Sequence, residues 1–259
     1  MEHYMQDLYR VANTLMPGLF DSKVKRKIRE RMRRPFAAAV LGLLKETLLA
    51  ASTPISFLRF RALSNKKNLK LHLGCGSDIR AGWINIDMYL APWGPATPDS
   101  NGNSTVIRHD LRRGLPLEKE SCDFIYSSHF FEHLEYEHGL RLMQDCYRIL
   151  RPGGIFRLAL PNFKALFNAY LREDKEYFEL IDIFEALPAV ESGTNTLLDY
   201  VNYGAYQNGE HRCMYDEEKL ILVLKRIGFS SVVPSSYRAG IDPVDPVRQR
   251  YSFYLEATK

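Results

Sequence analysis

A chain of 259 residues that is 46% apolar and 25% charged can bury a sizeable core, and its composition is not that of a disordered, collagenous or disulfide-built protein. The four cysteines, Cys75, Cys122, Cys146 and Cys213, form no Cys-x-x-Cys pair, which argues against a zinc ribbon and for reduced thiols in the cytoplasm. The charge is divided unevenly: residues 1–70 carry 15 Lys/Arg against 5 Asp/Glu, while residues 71–259 carry 20 against 26, so two regions with different jobs are expected.

The N-terminus lacks the basic–apolar–small order of a secretory signal. Residues 1–67 are expected to be a basic, helical extension. Tyr4, Leu8, Val11, Ala12 and Leu15 share a helical face that Pro17-Gly18 ends. Residues 23–34 then hold eight positive charges and one negative. The apolar stretch 35–58 is long enough to span a bilayer, but Lys45-Glu46 sits at its middle, where each charge costs about 2.5–3.5 kcal/mol. Pro54 interrupts the helical pattern as well. A membrane span is rejected. A helical cap on the main domain is preferred, because apolar stripes usually belong to cores. Peripheral contact of residues 1–65 with the inner face of an anionic membrane is the alternative. Nucleic acid comes last, since the basic run has no interleaved aromatics for stacking bases.

From residue 68 the pattern alternates strand and helix. Strands are expected at 69–73, 83–87, 104–110, 122–127 and 155–160. The third is expected to end in Asp110-Leu111. Leu140, Met143, Cys146, Tyr147 and Leu150 repeat at helical spacing, in a helix that Pro152-Gly153-Gly154 is expected to stop. Residues 216–227 form an amphipathic helix with Gly228 past its end, and strands 230–233 and 251–257 are expected to pair as a closing hairpin. Such a beat predicts an α/β, doubly wound, mostly parallel seven-stranded sheet with helices on both faces. Ligands then bind outside the carboxyl ends of the strands.

Gly74-Cys75-Gly76 closes the first strand and allows the backbone to approach a ligand, while Asp87 ends the second, where a carboxylate accepts from ribose hydroxyls. A nicotinamide dinucleotide is disfavoured, because Ile79 stands at the third glycine position and Asp87 comes too early for that fingerprint. At Asp110, adenine binding competes with simple turn capping.

Lys70-Leu-His-Leu-Gly-Cys-Gly-Ser-Asp78, Gly82-Trp-Ile-Asn-Ile-Asp87, His109-Asp-Leu111, the stretch from Cys122 through Ser127-Ser-His-Phe-Phe-Glu-His-Leu134, and Arg148-Ile-Leu-Arg-Pro-Gly-Gly154 resemble the motifs of class I S-adenosylmethionine-dependent methyltransferases of the methyltransferase type 11 kind. The similarity runs from about 68 to 258 and is nearest to a subgroup associated with surface-polysaccharide biosynthesis. It implies a Rossmann-like domain over 68–259 that binds S-adenosylmethionine. Carried over, it puts Gly74 and Gly76 at the methionine end, Asp87 at the ribose, Asp110 and Leu111 at the adenine, and Ser128 and His129 beneath the sulfonium, with His72, Cys75 and Met88 as further cofactor contacts. His72 stands where many relatives have an acid, and Asp78 where many have a third glycine.

Methyl transfer from a sulfonium needs in-line positioning and a destination for the acceptor's proton. His129, at the end of the fourth strand, is the first candidate for that proton and His211 the second. Glu132 and His133, expected to begin the next helix, are candidates for acceptor binding, with capping the plainer reading of His133. Residues 163–210 form an aromatic-rich insertion containing Phe163, Phe167, Tyr170, Tyr177, Phe178, Phe184, Tyr200, Tyr203 and Tyr206. It is expected to lie over the site as a lid or acceptor pocket, with Tyr200, Tyr203, Tyr206 and His211 as contacts. No metal is expected, because no carboxylate–histidine group has ligand spacing along the chain.

The resemblance leaves the acceptor open. O-methylation of a sugar hydroxyl in a glycan or its lipid-linked precursor leads, since Ser127-Ser-His-Phe130 replaces the Asn/Asp-Pro-Pro-aromatic run of enzymes that methylate nucleic-acid amino groups. A small phenolic or lipid acceptor is the second reading, and a non-catalytic cofactor-binding interaction module the third.

Overall fold

A computed structural model describes residues 35–88, 105–179 and 196–259. The predicted helix around Tyr4–Leu15, the basic run 23–34, Ser104 and Phe184 lie outside these residues.

The chain order of elements is α1 (Pro35–Arg61), β1 (Leu69–Leu73), β2 (Ile84–Asp87), β3 (Thr105–Arg108), β4 (Cys122–Ser128), α2 (Tyr136–Ile149), β5 (Leu150–Pro161), α3 (Phe163–Leu171), α4 (Lys175–Phe178), α5 (Leu197–Tyr206), α6 (Glu217–Ile227), β6 (Ser231–Ser235), α7 (Pro246–Tyr251) and β7 (Ser252–Thr258). The strands make one seven-stranded sheet in the order β3-β2-β1-β4-β5-β7-β6. Pairings from β3 through β5 are parallel; β7 runs antiparallel between β5 and β6. This is the mostly parallel, Rossmann-like class I methyltransferase sheet that the alternation and the resemblance predict. β6 and β7 do pair, but α7 lies in the connection between them, so they are not a tight hairpin.

Alternation gives the sheet two different faces. Leu71, Leu73, Ile84, Ile86, Ile125, Phe156, Leu158 and Leu255 enter the main core with Leu142, Met143 and Cys146 of α2 and Leu220 and Leu224 of α6. The opposite face carries a polar row that the pairing register lines up strand by strand: Asn85, His72, Tyr126, Arg157 and Glu256. The first four are buried. Arg157 gives Nε to Asp242 Oδ1 at 3.1 Å, Nη1 to Glu256 Oε1 at 2.9 Å and Nη2 to the Ser236 carbonyl at 2.8 Å. A buried guanidinium is tolerable only when so completely paired.

Two expected breaks fall elsewhere. Pro54 does not end α1, which runs through it to Arg61. Pro152-Gly153-Gly154 does not stop α2 either. Leu150 is already extended (φ −66°, ψ 138°) and the three residues lie inside the long β5. There Gly153, at φ +75°, gives its N–H to the Lys259 carbonyl at 2.9 Å, and Lys259 N–H returns to Gly154 O at 3.0 Å.

The C-terminal part of α1 lies on the β3 edge. Phe60 and Leu63 join the main core, Arg59 Nη1 donates to Val106 O at 2.7 Å, and Ser56 Oγ meets His109 Nδ1 at 2.9 Å. The Phe60 ring also stands edge-on to His109, centroids 5.0 Å apart. Leu43, Phe57 and Leu58 of the same helix are exposed. No helix among the described residues is long and apolar enough to cross a membrane.

Candidate functional site

The carboxyl ends of β1, β2 and β4 meet at one edge, held together by backbone. Gly74 and Cys75 both donate to Ile86 O, at 2.9 and 3.3 Å, and Ser127 Oγ donates to Leu73 O at 3.1 Å. Gly74 and Gly76 adopt left-handed φ values of +64° and +51°. Their surroundings differ. A Cβ on Gly74 would overlap the Phe130 ring, whereas one on Gly76 would meet nothing within 4 Å. Gly76 therefore presents open backbone, with its N–H on Asp87 Oδ2 at 2.9 Å. Asp87, only 6% exposed, closes this cradle, and Met88 follows half-buried.

The other expected cofactor contacts divide. Cys75 is buried, which pushes its thiol well up. Ser128 is buried at the end of β4, beside Ala159. His72 lies within the sheet, in the polar row, rather than at its edge. Asp110 and Leu111 are past the end of β3, not on it. Asp110 caps the following 3-10 turn by accepting from Arg112 N at 3.1 Å and also binds Arg112 Nε at 2.8 Å. Burial alone would raise its carboxyl, but Arg112 hydrogen bonds and charge, with Arg113 behind them, bring it below the ordinary value. Leu111 points into the main core. The capping alternative thus describes Asp110 in this structure, and Arg112 continues to Glu46 of α1 at 2.8 Å.

After β4 the chain makes a sharp turn. His129 takes φ +49°, uncommon for a residue with a side chain, and donates its N–H to Ala159 O at 2.9 Å. Its Nε2 lies 2.7 Å from Ser252 Oγ and its Nδ1 3.5 Å from Glu132 Oε1. Glu132 and His133 do not begin α2 as expected; they occupy a separate 3-10 turn, Phe131–His133, and α2 starts at Tyr136. His211 reaches them from a distant part of the chain because Arg212 N and Cys213 N both donate to Glu132 O, at 2.7 and 3.1 Å. The His133 and His211 rings stand edge-on with centroids 5.0 Å apart.

Burial dominates the electrostatics of this group. It pushes the Glu132 carboxyl up to about 8, against smaller opposing effects of its own backbone and Arg248. It lowers His129 to about 3, with Arg248, His133 and His211 adding to the effect. His211 is also lowered by burial, partly offset by the Gly204 and Ala205 carbonyls. Neutral imidazoles are therefore the resting forms, and His129 is a weak proton acceptor. No metal was expected from the chain's spacing, yet the fold brings ligand atoms of Glu132, His133 and His211 within 4.8 Å of one another. Spacing along the chain hides this set, since tertiary backbone bonds deliver His211.

Of the aromatic insertion, Tyr200 packs on Phe178 at 5.1 Å between centroids, in a second core built by α3, α4 and α5. Tyr203 is half-buried and Tyr206 exposed, 62%. The insertion touches the site through His211, whose Nδ1 donates to Gly204 O of α5 at 2.8 Å and whose N–H donates to Tyr206 O at 3.2 Å. Sequence reasoning missed Ser252 and Arg248, which arrive from α7 and the start of β7. It also missed His109, which fastens α1.

Residues 71–158 match the family described as "Methyltransferase domain". A curated relative from Mycolicibacterium smegmatis, described as a probable S-adenosylmethionine-dependent methyltransferase, is 38% identical over 56 residues. That stretch is 22% of this chain and 21% of the relative, so the match spans about a fifth of the relative's length. Among solved structures, a SAM-dependent methyltransferase from Archaeoglobus fulgidus is similar at 17% identity and TM-score 0.45, covering 83% of this chain and 94% of that one. One from Mesorhizobium loti is similar at 19% identity and TM-score 0.43, covering 78% and 96%. The match over residues 71–158 and the sheet's strand order support a methyltransferase domain with the class I fold, and S-adenosylmethionine is the cofactor they indicate.

Residues present at the strand ends fit that cofactor. The left-handed Gly76 leaves space where a side chain would stand, and the Asp87 carboxylate beside it suits ribose hydroxyls.

Proposed function

We propose that this protein transfers a methyl group from S-adenosylmethionine to a hydroxyl, with a sugar hydroxyl of a glycan or lipid-linked glycan precursor as the acceptor. The observation that carries the proposal is the placement of two unlike groups at one sheet edge. The Gly76–Asp87 cradle suits a nucleoside, and the His129–Glu132–His133–His211 group next to it suits a polar acceptor. When bound, the cofactor supplies an electrophilic methyl on a sulfonium. The chain's part is to orient. Asp87 and the Gly74–Gly76 backbone hold the nucleoside and methionine ends, and the β4 end sets His129 against the acceptor. His129, tied to Ser252, keeps a neutral ring that accepts or relays a hydrogen bond from the hydroxyl.

Support for oxygen as the acceptor atom is the Ser127-Ser-His-Phe130 sequence at the β4 end. The sugar assignment rests on the subgroup resemblance. For residues 1–65 we favour the cap over lipid contact, in keeping with the Ser56–His109 and Phe60 packing.

Calorimetry with S-adenosylhomocysteine, followed by mass spectrometry of methylatable sugars and glycans incubated with S-adenosylmethionine, tests the reading. Binding and a one-methyl mass gain are expected. Folded protein that binds neither the cofactor nor its demethylated product overturns it, and turnover on phenols alone would replace the sugar.

A further inference from the structure

We propose that Glu132, His133 and His211 bind a first-row divalent cation of the zinc type, placed beside the acceptor group. One carboxylate oxygen and two ring nitrogens lie within 4.8 Å of one another, and Glu132 Oε1 is 4.0 Å from His133 Nε2. Ligand atoms of a tetrahedral zinc ion, bonded at about 2.0–2.1 Å, stand roughly 3.3 Å apart. Side-chain movements of about an ångström would close the set.

A second observation points to an occupant. Glu132 is completely buried, and neither carboxylate oxygen has a hydrogen-bond partner. Buried carboxylates are almost always paired, hydrogen-bonded or coordinated to metal. The histidines beside it do not supply the missing bonds, since the nearest ring nitrogens are at 3.5 Å (His129) and 4.0 Å (His133).

A third concerns His211. Its Nδ1 must carry the proton to donate to Gly204 O at 2.8 Å, so the neutral ring keeps its lone pair on Nε2. A carbonyl that fixes the tautomer from behind is the usual outer support of a metal-bound histidine. Rigid backbone completes the arrangement, through the Arg212 and Cys213 N–H bonds to Glu132 O.

Two imidazoles and one carboxylate are the donor set of catalytic zinc sites that keep an open position. Nitrogen donors select zinc, cobalt or nickel over magnesium and calcium. Arg248 is the opposing charge nearby, felt by both Glu132 and His129, and it tempers affinity.

The role of the ion rests on the methyl-transfer reading. An acceptor hydroxyl at the open position would lose its proton to solvent more readily, because the ion stabilises the alkoxide. The oxygen lone pair then forms the new C–O bond as the carbon–sulfur bond breaks, and that bond's electron pair stays on sulfur as the neutral thioether.

Chelator-treated full-length protein is titrated with Zn²⁺ by calorimetry and with Co²⁺ by visible absorption. One equivalent is expected to bind, with the intense Co²⁺ bands of four or five ligands. Glu132→Gln and His211→Ala should each weaken binding at least 100-fold, while Cys213→Ser should keep it. Circular dichroism checks each variant's fold, and His133→Asn at its half-exposed position replaces either that fails to fold. A Co²⁺ spectrum of the hydrated ion only, or unchanged affinity in folded variants, overturns the metal site. S-adenosylhomocysteine binding to the metal-free protein is measured in parallel. Its loss sinks the methyl-transfer reading and leaves the metal result standing.

Discussion

The ring of Phe130 rests on Gly74 at the spot where any other residue would place its β-carbon. The residue after His129 is thereby seated on the turn that closes β1, so the His129 turn and the Gly76–Asp87 cradle share one contact. Glycine at 74 is required by protein packing, whereas at 76 the surroundings are open and only the left-handed backbone favours glycine.

That difference separates two alanine substitutions. Gly74→Ala forces a left-handed alanine and an overlap with Phe130, and should cost about 2–4 kcal/mol of stability. Gly76→Ala carries only the backbone strain, about 1–2 kcal/mol, but sets a methyl group in the cradle. Chemical denaturation with S-adenosylhomocysteine calorimetry on both variants is the check. Gly76→Ala should lose more affinity than stability, and Gly74→Ala should lose stability first. Equal behaviour of the two would mean that Gly76 does not face the cofactor.

Asp87 holds Gly76 N–H at 2.9 Å, and on the proposed reading it also faces the ribose. Asp87→Ala removes charged hydrogen bonds and should weaken cofactor affinity by about 1–3 kcal/mol. Asp87→Asn retains a carbonyl for Gly76 and should lose less. Affinity unchanged in both would remove Asp87 from the site.

Much of this edge was legible in the sequence, because strands of four to seven residues ending in glycine or an acid leave a strong local signal. The alternation of Leu69, Leu71 and Leu73, with Gly74-Cys75-Gly76 behind them, placed β1 and its turn. The His129–Glu132–His133–His211 group was only half legible. His129 follows from its position after β4, but His211 reaches Glu132 through two backbone hydrogen bonds that no periodicity encodes. Asp110 was read only in part. Its place after a strand suggested a ligand contact or a turn cap, and the ion pairs with Arg112 and Arg113 that accompany its cap leave no local signal. The Pro152-Gly153-Gly154 run misled because those residues usually punctuate, and here the C-terminal residue Lys259 pairs with them as one more rung of sheet.

The polar row was also hidden, since Arg157 stands amid the apolar residues 155–160. It is fully buried and held by Asp242, Ser235, Ser236 and Glu256. Arg157→Met leaves the buried Asp242 without its cation and should cost about 3–5 kcal/mol. Adding Asp242→Asn to that variant removes the orphaned charge and should recover part of the loss. Urea denaturation of the single and double variants decides it; no recovery would mean that packing, not charge, is what Arg157 contributes.

His72 occupies the same row and links it to pH. Burial, reinforced by the charge of Arg80, holds its ring at about 3 against an ordinary value of 6.5. The folded protein therefore keeps His72 neutral at a pH where the unfolded chain takes up a proton. Stability associated with this ring is fully present above 6.5 and is lost as pH falls toward 3. At pH 4.5 the loss should be about 2–3 kcal/mol, two pH units at roughly 1.4 kcal/mol each. His72→Phe keeps a ring beside Tyr126, whose centroid is 5.1 Å away, and cannot be protonated. Asn85 retains its bonds to the Arg80 and Trp83 carbonyls, at 3.0 and 3.2 Å, so the substitution leaves no new orphan there. The stability difference between wild type and His72→Phe, from denaturation at pH 7.5 and 4.5, should thus shift toward the variant in acid. His129 is depressed in both proteins and cancels in the comparison. A difference that does not change with pH would mean that the folded protein accommodates a charged His72, and that the row admits water.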